Sequence, residues 1–110
     1  MSFTVQNVID EAGTHAAGLT ITTPNGILWT KDAVQQLMGK RTDAMFDEDG
    51  VMQDVPTIDD ASDTIPLDAR FQTVLARYVA SKQFFLDAEN AKHREQAVQM
   101  LQLSGLGGPV

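Results

Sequence analysis

Asp47, Asp49 and Gly50, within "FDEDG", have the local spacing of a calcium-binding loop. Such a loop puts glycine in its sixth place and closes on a glutamate that grips the ion with both oxygens. With Gly50 in that place, the closing position is Pro56, which has no ligand atom to offer. The sequence therefore argues against calcium. His15 and His93 are the two histidines, and neither belongs to a His-x-x-x-His or Glu-x-x-His pattern, so they read as helical surface residues. No serine lies in a nucleophile elbow. "GLGG", at the end of the chain, precedes no helix that could cradle a phosphate. "TKDAVQQLMGKRTDAMF" faintly resembles a helix-turn-helix, but its second helix would carry acids where phosphate-facing bases are required. One continuous helix with a tolerated Gly39 is the better reading. No catalytic, cofactor or metal site is expected, and the chain reads as a non-enzyme.

Charge is the remaining chemical signal. Net charge is −7. From Asp43 to Asp68 the chain carries nine acids and no base: Asp43, Asp47, Glu48, Asp49, Asp54, Asp59, Asp60, Asp63 and Asp68. The bases lie outside that segment, from Lys31 to Arg41 and from Arg70 to Arg94. Gripping DNA needs Lys and Arg at the phosphates, so nucleic-acid binding is disfavoured. The segment reads either as a solvated acidic loop or as a face that meets a basic partner or repels DNA.

The elements that would position these residues are mostly helical. The 110 residues suit one domain, and 43% hydrophobic against 21% charged suits a globular chain. There is no apolar run of transmembrane length and no secretory leader, and the lack of cysteine fits folding in the cytosol. A first helix is expected from about Thr4 to Ala16, capped by Thr4, with Val5, Val8, Ile9, Ala12 and Ala16 on one face. Residues 17–29, "AGLTITTPNGILW", read as a small hairpin or extended loop because "PNG" is turn chemistry. A second helix is expected from a Thr30 cap to near Phe46, with Trp29 folding back on Val34 and Arg41 lying along the core edge. Residues 47–66 hold two β-prone pieces, "DVPTI" and "DTIPL", joined by a turn at "DDASD"; Pro56 and Pro66 keep any hairpin at an edge. A third helix is expected from about Asp68, with Phe71, Val74, Leu75, Tyr78, Val79, Lys82, Phe85 and Leu86 on one face. Asp87 and Asn90 start a fourth, whose stripe is Ala91, Arg94, Ala97, Val98 and Leu101. The short join makes the last two antiparallel. The fold class is thus mainly α: a four-helix domain over 1–103, an extended acidic crossover at 47–66 and a tail at 104–110.

The order of these features resembles the head-to-tail adaptor (connector) proteins of tailed bacteriophages. In that family a "TVxDVIxxA" pattern opens the first helix, matched here by Thr4–Ala12. Tryptophan plus Ser or Thr starts the second helix, matched by Trp29–Thr30. "IPLDxRF" leads into a helix with "YVxxxxF", matched by Ile65–Phe71 and Tyr78–Phe84, followed by Asp87, Asn90–Ala91 and Ala97. The likeness spans nearly the whole chain and is strongest from Ile65 to Leu103. The second helix departs from it, reading "LMGKRTDAM" in place of an "LNxAxxEI"-like pattern, and the "GLTITTPNGI" loop is long.

The resemblance implies a structural virion protein of the phage neck, assembled in the host cytoplasm. It implies a ring, usually a dodecamer, that meets the portal protein on one side and a tail or nozzle protein on the other. DNA would pass through without specific binding, and neither a membrane nor a cofactor is involved. Ser104, Gly105, Leu106, Gly107, Gly108, Pro109 and Val110 would dock on the portal. The eight acids from Asp43 to Asp63 would face the channel or a partner. The reading from residues alone keeps a second option, a small cytosolic helical regulator acting through its acidic loop.

Overall fold

The computed structural model describes residues 3–16, 20–41, 46, 49–54, 56–86 and 91–104. In chain order the elements are β1 (Phe3–Thr4), α1 (Val5–His15), α2 (Thr23–Lys40), β2 (Thr64–Ile65), α3 (Phe71–Leu86) and α4 (Ala91–Ser104). The mainly helical, four-helix expectation holds.

Helix α1 starts where local chemistry puts it. Thr4 has extended backbone angles, and its Oγ1 accepts from the Asn7 amide at 3.2 Å. Asn7 Oδ1 returns the favour to the Thr4 amide at 2.9 Å. This reciprocal cap satisfies two N–H groups that the helix cannot, and losing such a cap costs about 1 kcal/mol. Val5, Val8, Ile9 and Ala12 then fall on the buried face.

Helix α2 starts seven residues earlier than expected, at Thr23 rather than Thr30. "PNG" is its first turn, not a hairpin turn. Proline in a first helical turn gives up an N–H that has no partner there anyway. Gly26 is required for a different reason: a Cβ on it would lie 2.6 Å from Ile9 Cδ1, so its absence lets α2 close on α1. Thr30 is consequently no cap but a buried residue in mid-helix, and Trp29 is not the staple expected of it. The helix stops at Lys40, short of Phe46, with Arg41 as its C-cap.

The expected hairpin within 47–66 is also corrected. Its second piece forms β2, but β2 pairs antiparallel with β1, in the register Phe3↔Ile65 and Thr4↔Thr64. Pro56 removes one N–H from the first piece, and the core takes Ile58 as a buried side chain instead. The turn at "DDASD" is present, closed by the Asp63 amide on the Asp60 carbonyl at 3.1 Å.

Helix α3 begins at Phe71, three residues after Asp68. Asp68 makes the entrance: its carboxylate accepts from the Arg70 amide and its carbonyl from the Phe71 amide, both at 3.0 Å. The helix packs on α1, α2 and α4. A helix enclosed on three sides cannot bury a single stripe. Its buried positions are Phe71, Leu75, Ala76, Tyr78, Val79, Ala80, Ser81, Gln83 and Phe84, while Phe85 and Leu86 are exposed. The small residues Ala76, Ala80 and Ser81 admit neighbours where a single-stripe reading leaves a solvent face. Each fully buried leucine or valine contributes about 1.5–3 kcal/mol. Helix α4 packs mainly on α3, and the short connection between them makes the pair antiparallel. In α4, Ala97 is buried as expected, but Val98 is exposed. The expected starters Asp87 and Asn90 lie outside the described residues.

Candidate functional site

The acidic crossover is the segment in which charge departs most from the rest of the chain, and it divides in two. Residues 59–63 form a tight turn against the start of α1. Asp63 Oδ2 accepts from the amides of Asp59 (2.8 Å) and Asp60 (2.9 Å). Asp60 Oδ2 accepts from the Ser62 amide at 3.0 Å and from the Ser62 hydroxyl. The Ser62 hydroxyl, then its amide, hold the Asp60 carboxyl below the usual carboxylate range. The turn's carbonyls serve α1 as well: Val5 N donates to Asp63 O at 3.0 Å and Gln6 N to Ala61 O at 2.8 Å. These are amides a helix start leaves without an internal partner, and the positive end of the helix favours an acidic neighbour.

The other half, described at Phe46 and 49–54, is largely exposed. Phe46 and Met52 form an isolated antiparallel bridge, and Gly50 turns the chain with φ 78°, a conformation that favours glycine. Phe46, Val51 and Met52 are exposed, as are Asp49 and Asp54. Of the eight acids singled out, Asp49, Asp54, Asp59 and Asp60 are exposed and Asp63 is half-buried. Asp43, Asp47 and Glu48 lie outside the described residues. Among the described residues, Asp60 and Asp63 are tied into a turn, while Asp49 and Asp54 are exposed on a short arm that also carries Phe46, Val51 and Met52. Of the tail, Ser104 is the last residue of α4, and Gly105–Val110 lie outside the described residues.

A second surface escaped the sequence. On α2, Leu28, Trp29, Lys31, Asp32 and Gln35 line an open groove of about 370 Å³. Leu28 is 60% exposed, while Trp29 is half-buried against the core. Asp32 accepts a hydrogen bond from the Tyr78 hydroxyl of α3. Burial first, then that hydrogen bond and the carboxylate charge, raise the Tyr78 phenol well above its ordinary range. Lys82 Nζ sits 5.1 Å from the Tyr78 ring centroid, a cation over the ring's negative face. The signal that could have found the groove is Leu28, Lys31, Asp32 and Gln35 at helical spacing, which becomes visible once α2 is started at Thr23.

The remaining polar contacts are structural. Glu11 accepts from Gln72 Nε2 at 3.1 Å and lies 3.1 Å from His15 Nε2, which ties α1 to α3. His15 is thus a half-buried partner of Glu11 rather than a simple surface residue. The Arg41 and Arg70 guanidinium carbons lie 5.2 Å and 4.8 Å from the Phe71 ring centroid, so Arg41 does lie along the core edge. Among the described residues no cluster of metal-ligating side chains occurs, and no described helix is long and apolar enough to cross a membrane.

Comparison with protein-family models, curated proteins and solved structures gives no match.

Proposed function

We propose that this chain is a subunit of a head-to-tail adaptor ring in a tailed bacteriophage, seated between the portal and a tail or nozzle protein. One observation carries the reading. Two of the family-like stretches, Thr4–Ala12 and Ile65–Phe71, lie some sixty positions apart in the chain, and the β1–β2 pairing, Phe3↔Ile65 and Thr4↔Thr64, sets their first residues side by side. The residues behind the resemblance therefore form one structural unit: the Thr4 cap, the buried Ile65, Leu67 and Phe71, and the Asp68 turn. That supports reading the matched positions together, as one unit, rather than as separate motifs.

A ring subunit needs a rigid domain, extensions that reach neighbours and a lumen that releases DNA. The domain is the helical core, the 46–54 arm would be one extension, and the sequence after α4, Gly105–Val110, would supply the other. Asp49, Asp54, Asp59 and Asp60 on the surface disfavour any lasting grip on phosphate. Leu106 and Val110 supply apolar anchors for the portal, spaced by glycine.

The test is capture. The tagged chain, expressed in phage-producing cells, is expected to co-purify with portal and tail proteins, identified by mass spectrometry and imaged as a ring. Deleting 105–110 is expected to keep the helical circular-dichroism spectrum while lowering portal association. Capture of unrelated host proteins alone would refute the reading.

A further inference from the structure

Two apolar surfaces of this chain have complementary form and charge. The arm presents Phe46, Val51 and Met52, with Met52 60% exposed, beside the exposed Asp49 and Asp54. The groove on α2 presents Leu28 and Trp29 beside the exposed Lys31. Its acid, Asp32, is engaged by the Tyr78 hydroxyl, and Lys82 stands over the same ring, so cations outnumber acids in this neighbourhood.

We propose that the arm of one copy seats in the α2 groove of the next, with Met52 and Phe46 against Leu28 and Trp29 and the acids of the arm toward Lys31. This deepens the adaptor reading and rests on it, because it names the contact by which neighbouring ring subunits meet. A second copy is the occupant that the charges favour. In a chain of net charge −7, copies repel unless an acid-only segment meets a cationic patch, and this pairing supplies both. The two surfaces differ, so the contact is head-to-tail. Such contacts close into rings when the rotation between copies allows it.

The chain has no cysteine, which makes engineered cross-links unambiguous. M52C and L28C are each placed at a well-exposed position, so both variants should fold, checked by circular dichroism. In concentrated solution under oxidising conditions, a mixture of the two is expected to give a disulfide-linked dimer that neither forms alone. The double variant is expected to give a ladder of linked copies. Met52→Glu is expected to weaken self-association, measured by sedimentation, at least about tenfold. Lys31→Glu should weaken it too and reduce its salt dependence. No mixed dimer, or an M52C variant that links only to itself, overturns the proposal. Portal-bound rings without the M52C–L28C link would remove this contact and keep the adaptor reading. A ladder from a chain that ignores portal would do the reverse.

Discussion

The acidic crossover contains two stretches of similar composition that behave oppositely. In 56–65, Ile58 and Ile65 are buried, Asp60 and Asp63 bind nearby amides, and backbone carbonyls cap α1. In 46–54, Phe46, Val51 and Met52 stand in solvent around the Gly50 turn. Acidity alone does not distinguish them. What differs is whether the backbone finds the unsatisfied start of a helix to dock on. The first stretch is part of the fold, and the second is what the fold holds out.

The largest expected effect separates Ile58 from Met52, six positions apart. Ile58 is 1% exposed, and Ile58→Asp would bury an unpaired charge at a cost of about 3–5 kcal/mol. That is comparable with the whole stability of a small domain, so thermal melting should lose its cooperative transition. Next is Asp63→Ala. It strips the acceptor from two amides and should lower stability by about 1–2 kcal/mol in urea titrations, whereas Asp54→Ala should stay within about 0.5 kcal/mol. Equal losses at the two sites would erase the distinction between the stretches.

A smaller effect is read by pH. The Asp60 carboxyl is held below its unfolded value of about 3.9, so its contribution is present above that value and fades as pH falls through the folded one. Carbon-detected NMR should place the Asp60 midpoint below that value, and Ser62→Ala should move it back up. The smallest effect on stability is expected from Met52→Asp, within about 0.5 kcal/mol of the parent. A large loss there would mean that the arm belongs to the core.

Much of this architecture was legible because its causes are local. Thr4 and Asn7 sit three residues apart, and Asp68 precedes Phe71 by three, so both helix entrances can be read from neighbours. The start of α2 was missed because Pro24, Asn25 and Gly26 carry the same types as a turn. Only the close approach of Ile9 explains that glycine. The strand partner of Ile65 was missed because Phe3 lies far away in sequence, and short β-prone pieces suggest nearby pairing first. On α3 a single stripe puts Phe85 and Leu86 inside and leaves out Ala76, Ala80 and Gln83, whereas a helix packed on three sides buries those three and exposes the other two. The acid run itself was plain, but its division was not. Nothing in the spacing of these acids says that Asp60 and Asp63 would be the ones to accept from the Asp59, Asp60 and Ser62 amides.

The adaptor assignment is tested most directly by the copy number of this chain on a portal. Native mass measurement of portal particles incubated with the purified protein should show a gain of many 12.0 kDa units, saturating at one ring, with images showing a new symmetric layer beneath the portal. Portal that gains no copies, or only one or two without a symmetric layer, would contradict the account.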